Sequence, residues 1–200
     1  PLYPCAKICP LDPTATAPIL VEGSSGTAGC ILYPKDYLVK LKKLCEKYNV
    51  LMICDEVMSG WGRTGNYFAH QKSKIKPDII TTAKAITSGY CPLGAVIINN
   101  NVSDVFQNNP VMGGLTYSGH ILPCTIANKC LDLYEANNYS ILNEVNIKSI
   151  FVRDKCNRIA QNHYFIREFR TNGLLGCFDF NLSNENLIKL SEMLLENDIY

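Results

Sequence analysis

The run "VLMIC" (Val50–Cys54), followed at once by Asp55 and Glu56, constrains most strongly what this chain can fold into. It is too short for a helix and has no polar alternation, so it reads as a strand buried on both faces. "APILVE" (Ala17–Glu22) stops at a carboxylate and passes into the loop "GSSGTAG". "KPDIITTAK" is a third strand candidate, ending at Lys84, and "PLGAVIIN" (Pro92–Asn99) a fourth. Between the first two, Leu38, Leu41, Leu44, Cys45 and Tyr48 recur at helical spacing, with Pro34 at the start and Asn49 as a stop. Apolar strands alternating with an amphipathic helix predict an α/β fold, a parallel or mostly parallel sheet with helices on both faces.

In open α/β sheets ligands bind beyond the carboxyl ends of the strands. Glu22, Asp55 and Lys84 all fall at such ends. Polar residues flank strands routinely, so each alone requires no site; the three together point to one. Lys84 is the sole charged residue in "TTAKAITSGY". Such a lysine either lays its stem along the surface and its head in water, or is used chemically.

With 200 residues, 47% hydrophobic and 18% charged, the chain has the composition of a globular protein with a sizeable core. A net charge of +1 without basic runs gives no footprint for nucleic acid or an anionic membrane, and no apolar stretch approaches the roughly 20 residues of a membrane span. The ten cysteines form no CxxC pair, which argues against a metal site. Several sit inside apolar runs, so a reducing compartment is expected: the cytoplasm, with a mitochondrial matrix as the alternative. The chain opens on "PLYPCAKICP" rather than methionine, as a fragment or processed product would.

From Ile121 the pattern is helical up to Ala136, Asn137 and Asn138, and a second helical run continues through "ILNEVNIKSIFVRDKCNRIAQNH". "GLLGCFDF" reads as a strand and "NENLIKLSEMLLEN" as a last amphipathic helix. A change of domain is placed near residue 145, giving units 1–145 and 146–200.

A lysine amine able to form a Schiff base, and a carboxylate able to keep a pyridine nitrogen protonated, are the groups pyridoxal phosphate most needs from a protein. Lys84 and Asp55 supply that pair, and small apolar neighbours are expected to desolvate Lys84. Val57, two residues beyond Asp55, is placed to pack on the cofactor ring or to serve as an ordinary core valine.

The segments "ICDEVMSGWGRTG", "KPDIITTAKAITSGYCPLGAV" and "GGLTYSGHILPC" resemble, in order and spacing, the signatures of class III pyridoxal-phosphate aminotransferases, especially those acting on taurine or omega-amino acids with pyruvate. The resemblance spans Thr16 to Asn138. It implies the aspartate-aminotransferase-like fold, known as fold type I: a three-layer, mostly parallel large domain, here its C-terminal half, with part of a small α/β domain. It implies Lys84 as the Schiff-base lysine, Asp55 as the ring-nitrogen partner and Val57 as the ring-packing residue. It also implies that Thr116 binds the cofactor phosphate of the neighbouring subunit in a homodimer, and that Glu22 lies near the substrate. The family's upstream glycine-rich phosphate loop and ring-stacking aromatic have no counterpart in this sequence.

The chain also departs from the pattern. Met58 stands where ornithine and 4-aminobutyrate relatives carry a glutamine, and Thr27 where they often carry a second glutamate, which turns the expectation away from those donors. Ala85 replaces a common glycine. A lone histidine such as His120 reads as structural, and Tyr117 and Ser118 offer hydroxyls to a phosphate. Arg63 fits equally a loop brace or a partner for a substrate carboxylate. A decarboxylase, aminomutase or racemase would use the same lysine and aspartate, and a truncated, non-catalytic dimerisation module would use neither.

Overall fold

A computed structural model describes residues 17–108 and 113–199. Residues 1–16, 109–112 and 200, including the beginning of the resemblance at Thr16, lie outside the described part.

The first sheet contains β1 (Ile19–Glu22), β2 (Met52–Asp55), β3 (Ile79–Thr82) and β4 (Ala95–Ile98), in that spatial order. The first three are parallel, and β4 runs antiparallel to β3. The reversal follows from the short link between β3 and β4: it holds only a 3₁₀ turn, Lys84–Thr87, and no crossover helix of the kind a parallel return requires. β1 and β2 are joined through α1 (Tyr37–Lys47), whereas β2 and β3 are joined through a 3₁₀ turn at Ala69–Ser73.

α1 begins later than Pro34 suggests, after Asp36 in a left-handed conformation (φ 61°), and Asn49, also left-handed (φ 51°), marks the stop. Leu38 and Cys45 are buried with Met52 and Cys54 of β2 and with Ile75; Ile19, Val21 and Leu41 pack around them. Leu44 and Tyr48, counted with the apolar stripe in the sequence, are exposed, because the covered arc of α1 is narrower than its hydrophobic pattern. Met52 and Cys54 face α1, so Ile53 and Asp55 face the other way, beside their register partners Leu20 and Glu22. That second face presents Leu20 and Val96, 64% and 66% exposed.

At the opposite end of the strands Asp78 acts as a clip. Its carboxylate accepts from Met52 N (2.9 Å), Lys42 Nζ (2.9 Å) and Asn99 Nδ2 (2.9 Å), tying β2, α1 and the end of β4 to the start of β3. Burial pushes the Asp78 carboxyl up, but these donors outweigh it and hold the group below its usual range.

Beyond α2 (Asn100–Asn108), α3 covers Ile121–Asn162. It is broken at Ala136–Tyr139, where Asn137, Asn138 and Tyr139 take left-handed angles. The break falls where the asparagines predicted it, since asparagine tolerates that conformation better than most residues. His120 caps the helix by accepting from Leu122 N at 3.2 Å, which gives this histidine its structural role. A hairpin follows, β5 (Ile166–Asn172) paired antiparallel to β6 (Leu175–Phe180), then α4 (Asn184–Glu196). β6 was legible in the sequence; β5, which reads IREFRTN, was not, because its charges mask the period of two. Among the described residues no helix is long and apolar enough to cross a membrane.

Met52 has no exposed surface and lies between α1 and the sheet. Met52→Ala should lower unfolding free energy by about 2–5 kcal/mol. Urea denaturation followed by circular dichroism measures this; an unchanged midpoint would show that this interface is not the core.

Candidate active site

The site is assembled at the carboxyl ends of β1, β2 and β3. In the strand register Glu22 pairs with Asp55, and Asp55 with Thr81, so three neighbouring strands place these side chains on one face. The Asp55 carboxylate is half-buried, and its Oδ1 accepts from Val57 N at 2.9 Å. Among the described residues no other donor reaches Asp55, which leaves Oδ2 as an available acceptor. Glu22 Oε2 accepts from Gly26 N (2.6 Å), and its main-chain oxygen accepts from Tyr33 Oη (3.0 Å).

Glu56 turns the opposite way and has no exposed surface. Its carboxylate accepts from Ser59 Oγ (2.5 Å), Ala69 N (3.0 Å) and His70 N (2.9 Å), and His70 Nδ1 lies 2.8 Å from Oε1. Burial pushes the Glu56 carboxyl up, but the bonds from His70, Ser59 and Ala69 outweigh it and hold the group below its ordinary value. Any Cβ at Gly23 would collide with this carboxylate, so only glycine permits the chain leaving Glu22 to approach it. The segment running from Asp55 to His70 is thus fastened to the end of β2 from beneath. Sequence reasoning missed Glu56; a carboxylate directly inside an apolar run, with a histidine downstream, was the available signal.

Lys84 opens the 3₁₀ turn after β3 in a left-handed conformation (φ 50°), which carries the chain off the strand direction. The turn is held by Trp61 Nε1 donating to Thr82 Oγ1 (2.6 Å) and by Tyr134 Oη of α3 donating to Ala85 O (3.2 Å). Trp61 and Ile86 are buried against Ala127, Cys130 and Tyr134. The lysine itself is exposed, contrary to the expectation of desolvation by small neighbours: those neighbours face the packed side of the turn, with Ile86 and Thr87 buried. Lys84 borders a cavity of about 580 Å³ that Arg63, Trp61 and Tyr134 also line; Glu22, Asp55 and Val57 are not among its lining residues.

Thr116 lies in an exposed turn before α3, flanked by Leu115 and Tyr117, 82% and 79% exposed. The structure does not bring Thr116 to the strand ends of its own chain by any recorded contact. Val57 is half-buried beside Asp55. Met58 puts its sulfur against Gly26, next to the Glu22 carboxylate.

The strand ends therefore offer an accessible primary amine on one strand exit and, on the next, a carboxylate with one oxygen available. This donor set fits pyridoxal phosphate, which requires an amine to carry it and an anion at its ring nitrogen.

Comparison with known proteins places the fold among the fold type I aminotransferases. The structure superposes on the taurine:2-oxoglutarate aminotransferase of Bifidobacterium kashiwanohense, determined with PLP and glutamate, with a TM-score of 0.84 and 33% identity over 92% of this chain and 43% of that one. An aminotransferase of Bacillus anthracis matches with a TM-score of 0.82 at 26% identity, again over 92% of this chain and 43% of that one. The model of the family Aminotransferase class-III matches residues 7–198, and the chain belongs to that family. Curated relatives include gamma aminobutyrate transaminase 3 of Solanum lycopersicum, 37% identical over 84% of this chain, and ornithine aminotransferase of Oceanobacillus iheyensis, 36% identical over 82%. The chain spans 33% and 40% of the lengths of those two relatives.

Glu56 gives a pH-dependent test. A carboxyl held below its ordinary 4.5 stabilises the fold above about pH 4.5, and that contribution is lost as pH falls through the folded-state value. Glu56→Gln should cost about 1–3 kcal/mol at pH 7, by replacing an acceptor with an amide donor opposite buried N–H groups. It should also flatten the decline in stability below pH 4.5. Denaturation midpoints across pH 3 to 7 check both; parallel curves for the two proteins would contradict the buried-anchor role.

Proposed function

We propose that the complete protein is a pyridoxal-phosphate-dependent transaminase that moves an amino group from an omega-amino acid or related amine, of the taurine or β-alanine type, to a keto acid such as pyruvate. The observation that carries this reading is the pairing of an exposed Lys84 amine with the half-engaged Asp55 carboxylate at neighbouring strand exits. When bound, pyridoxal phosphate supplies an electron sink for the negative charge that develops on the donor carbon.

The chain's residues have distinct tasks in that chemistry. Lys84 Nζ carries the cofactor at rest; once a donor amine displaces it, it takes the proton from the donor carbon and later returns one to the keto acid's carbon. Asp55 keeps the ring nitrogen protonated, and Val57 N–H on Oδ1 fixes the carboxylate that does so. The Val57 side chain offers an aliphatic face to the ring. Thr116 donates its hydroxyl to the phosphate of the partner subunit's cofactor in a homodimer, a role supported by its exposed turn before α3. Glu22 borders the substrate, its carboxylate oriented by Gly26 N–H.

Met58 and Thr27 favour taurine-type donors over ornithine or 4-aminobutyrate, although relatives named for both of the latter are among the matches. Residues 1–145 belong, in this reading, to the large domain and 146–200 to the small one. A reducing compartment, the cytoplasm or a mitochondrial matrix, agrees with the free thiols of the described cysteines.

Incubation of the complete protein with pyridoxal phosphate, taurine or β-alanine, and pyruvate should form alanine, and Asp55→Asn should lower that turnover by orders of magnitude while cofactor binding changes less. Carbon dioxide or a rearranged amine in place of alanine would favour a decarboxylase or aminomutase. No cofactor binding at all would favour the dimerisation module.

A further inference from the structure

The cavity that Lys84 borders has a chemistry the transamination reading does not yet use. It encloses about 580 Å³, the size of a small-molecule site, and lies between the turn after β3, the segment Trp61–Arg63, the break in α3 and the β5–β6 turn. Its lining carries two cations, Arg63 and Lys84, and no carboxylate. The remaining wall is mainly apolar and aromatic, with Trp61, Tyr134 and Leu174, and Ser88 adds a hydroxyl.

The Arg63 main chain is firmly held while its side chain is exposed. Its carbonyl accepts from Leu174 N at 2.9 Å, and Gly173 packs so closely on Arg63 O and Thr64 that a Cβ there would clash. No hydrogen bond or ion pair of the guanidinium is recorded among the described residues, although Arg167 and Arg170 are both paired with Asp179. A braced backbone with an unengaged guanidinium, in a cavity without counter-charge, suits recognition of a planar or tetrahedral oxyanion on a small apolar body.

We propose that Arg63 is a specificity-determining residue that receives the acid group, carboxylate or sulfonate, of the amine or keto acid brought to Lys84. The proposal rests on the transaminase reading for the identity of its ligand, but anion binding in the cavity can be tested without turnover. It resolves the alternatives left by the sequence in favour of substrate contact, since the bracing of this loop is done by the Arg63 carbonyl and not by its side chain.

Trp61 is the only tryptophan of the chain and lines the same cavity, so its fluorescence reports on occupancy. Ethanesulfonate and propionate carry the acid without an amine; propionamide has neither charge. Titrating the full chain with each acid should give a saturable change that propionamide does not produce. Arg63→Gln should weaken it about 10- to 100-fold, the range for losing a hydrogen bond to a charged group. Arg63→Lys should recover part of the loss, and circular dichroism should show both variants folded.

An unchanged titration in Arg63→Gln, or no saturable response to either acid, would overturn the proposal. So would displacement of ethanesulfonate by inorganic phosphate at lower concentration than by propionate, because the cavity would then be suited to a phosphate group. Failure of Lys84 to carry pyridoxal phosphate would sink the transaminase reading while leaving these titrations intact, so the two failures are distinguishable.

Discussion

A single buried carboxylate, that of Glu56, is the constraint around which the strand exits are arranged. An ionised carboxylate in an apolar interior is costly unless donors surround it, and four polar groups from Ser59, Ala69 and His70 do so here. Satisfying Glu56 draws the loop as far as His70 under the end of β2 and brings the main chain at Gly23 against it. Asp55, one residue earlier, consequently leaves the strand facing the opposite way. The alternation of a strand thus divides two consecutive acids between two tasks: one anchors, the other remains available to a ligand.

The same division between a fixed base and an accessible tip recurs at Lys84. Thr82 is held by Trp61, and Ala85 by Tyr134, so the residues on either side of the lysine are tied into one aromatic cluster. Its side chain is left exposed. The Asp78 clip performs the complementary service at the far end of the strands, setting the start of β3 against β2 and so the level at which both strands end. Function follows from this placement. An amine and a carboxylate are useful to a shared cofactor only if their strands end in register, and that register is fixed at both ends by buried, hydrogen-bonded acids.

Much of this was legible in the sequence because it depends on local signals. Continuous apolar runs ending in charge located β1, β2 and β3; the asparagines at 137 and 138 located the break in α3; and the lone charge in "TTAKAITSGY" identified Lys84. What escaped depends on which surfaces meet. The antiparallel direction of β4 is set by what its connection contains, the exposure of Leu44 and Tyr48 by the width of the contact on α1, and the concealment of β5 by charges that pair across the hairpin. The Glu56–His70 pair joins two residues through a loop of irregular structure, where no periodicity announces a contact. The exposure of Lys84 escaped for a similar reason: small neighbours in sequence were assumed to surround the amine, whereas they pack on the other side of its turn.

The central claim is that Lys84 is the amine that carries the cofactor. Borohydride reduction of the complete protein with pyridoxal phosphate bound, followed by proteolysis and mass spectrometry, reads this directly. The account predicts a pyridoxyl group on Lys84 Nζ in the peptide containing "TTAKAITSGY", absent in Lys84→Ala. A pyridoxyl group fixed stoichiometrically on any other lysine, with Lys84 unmodified, would contradict it.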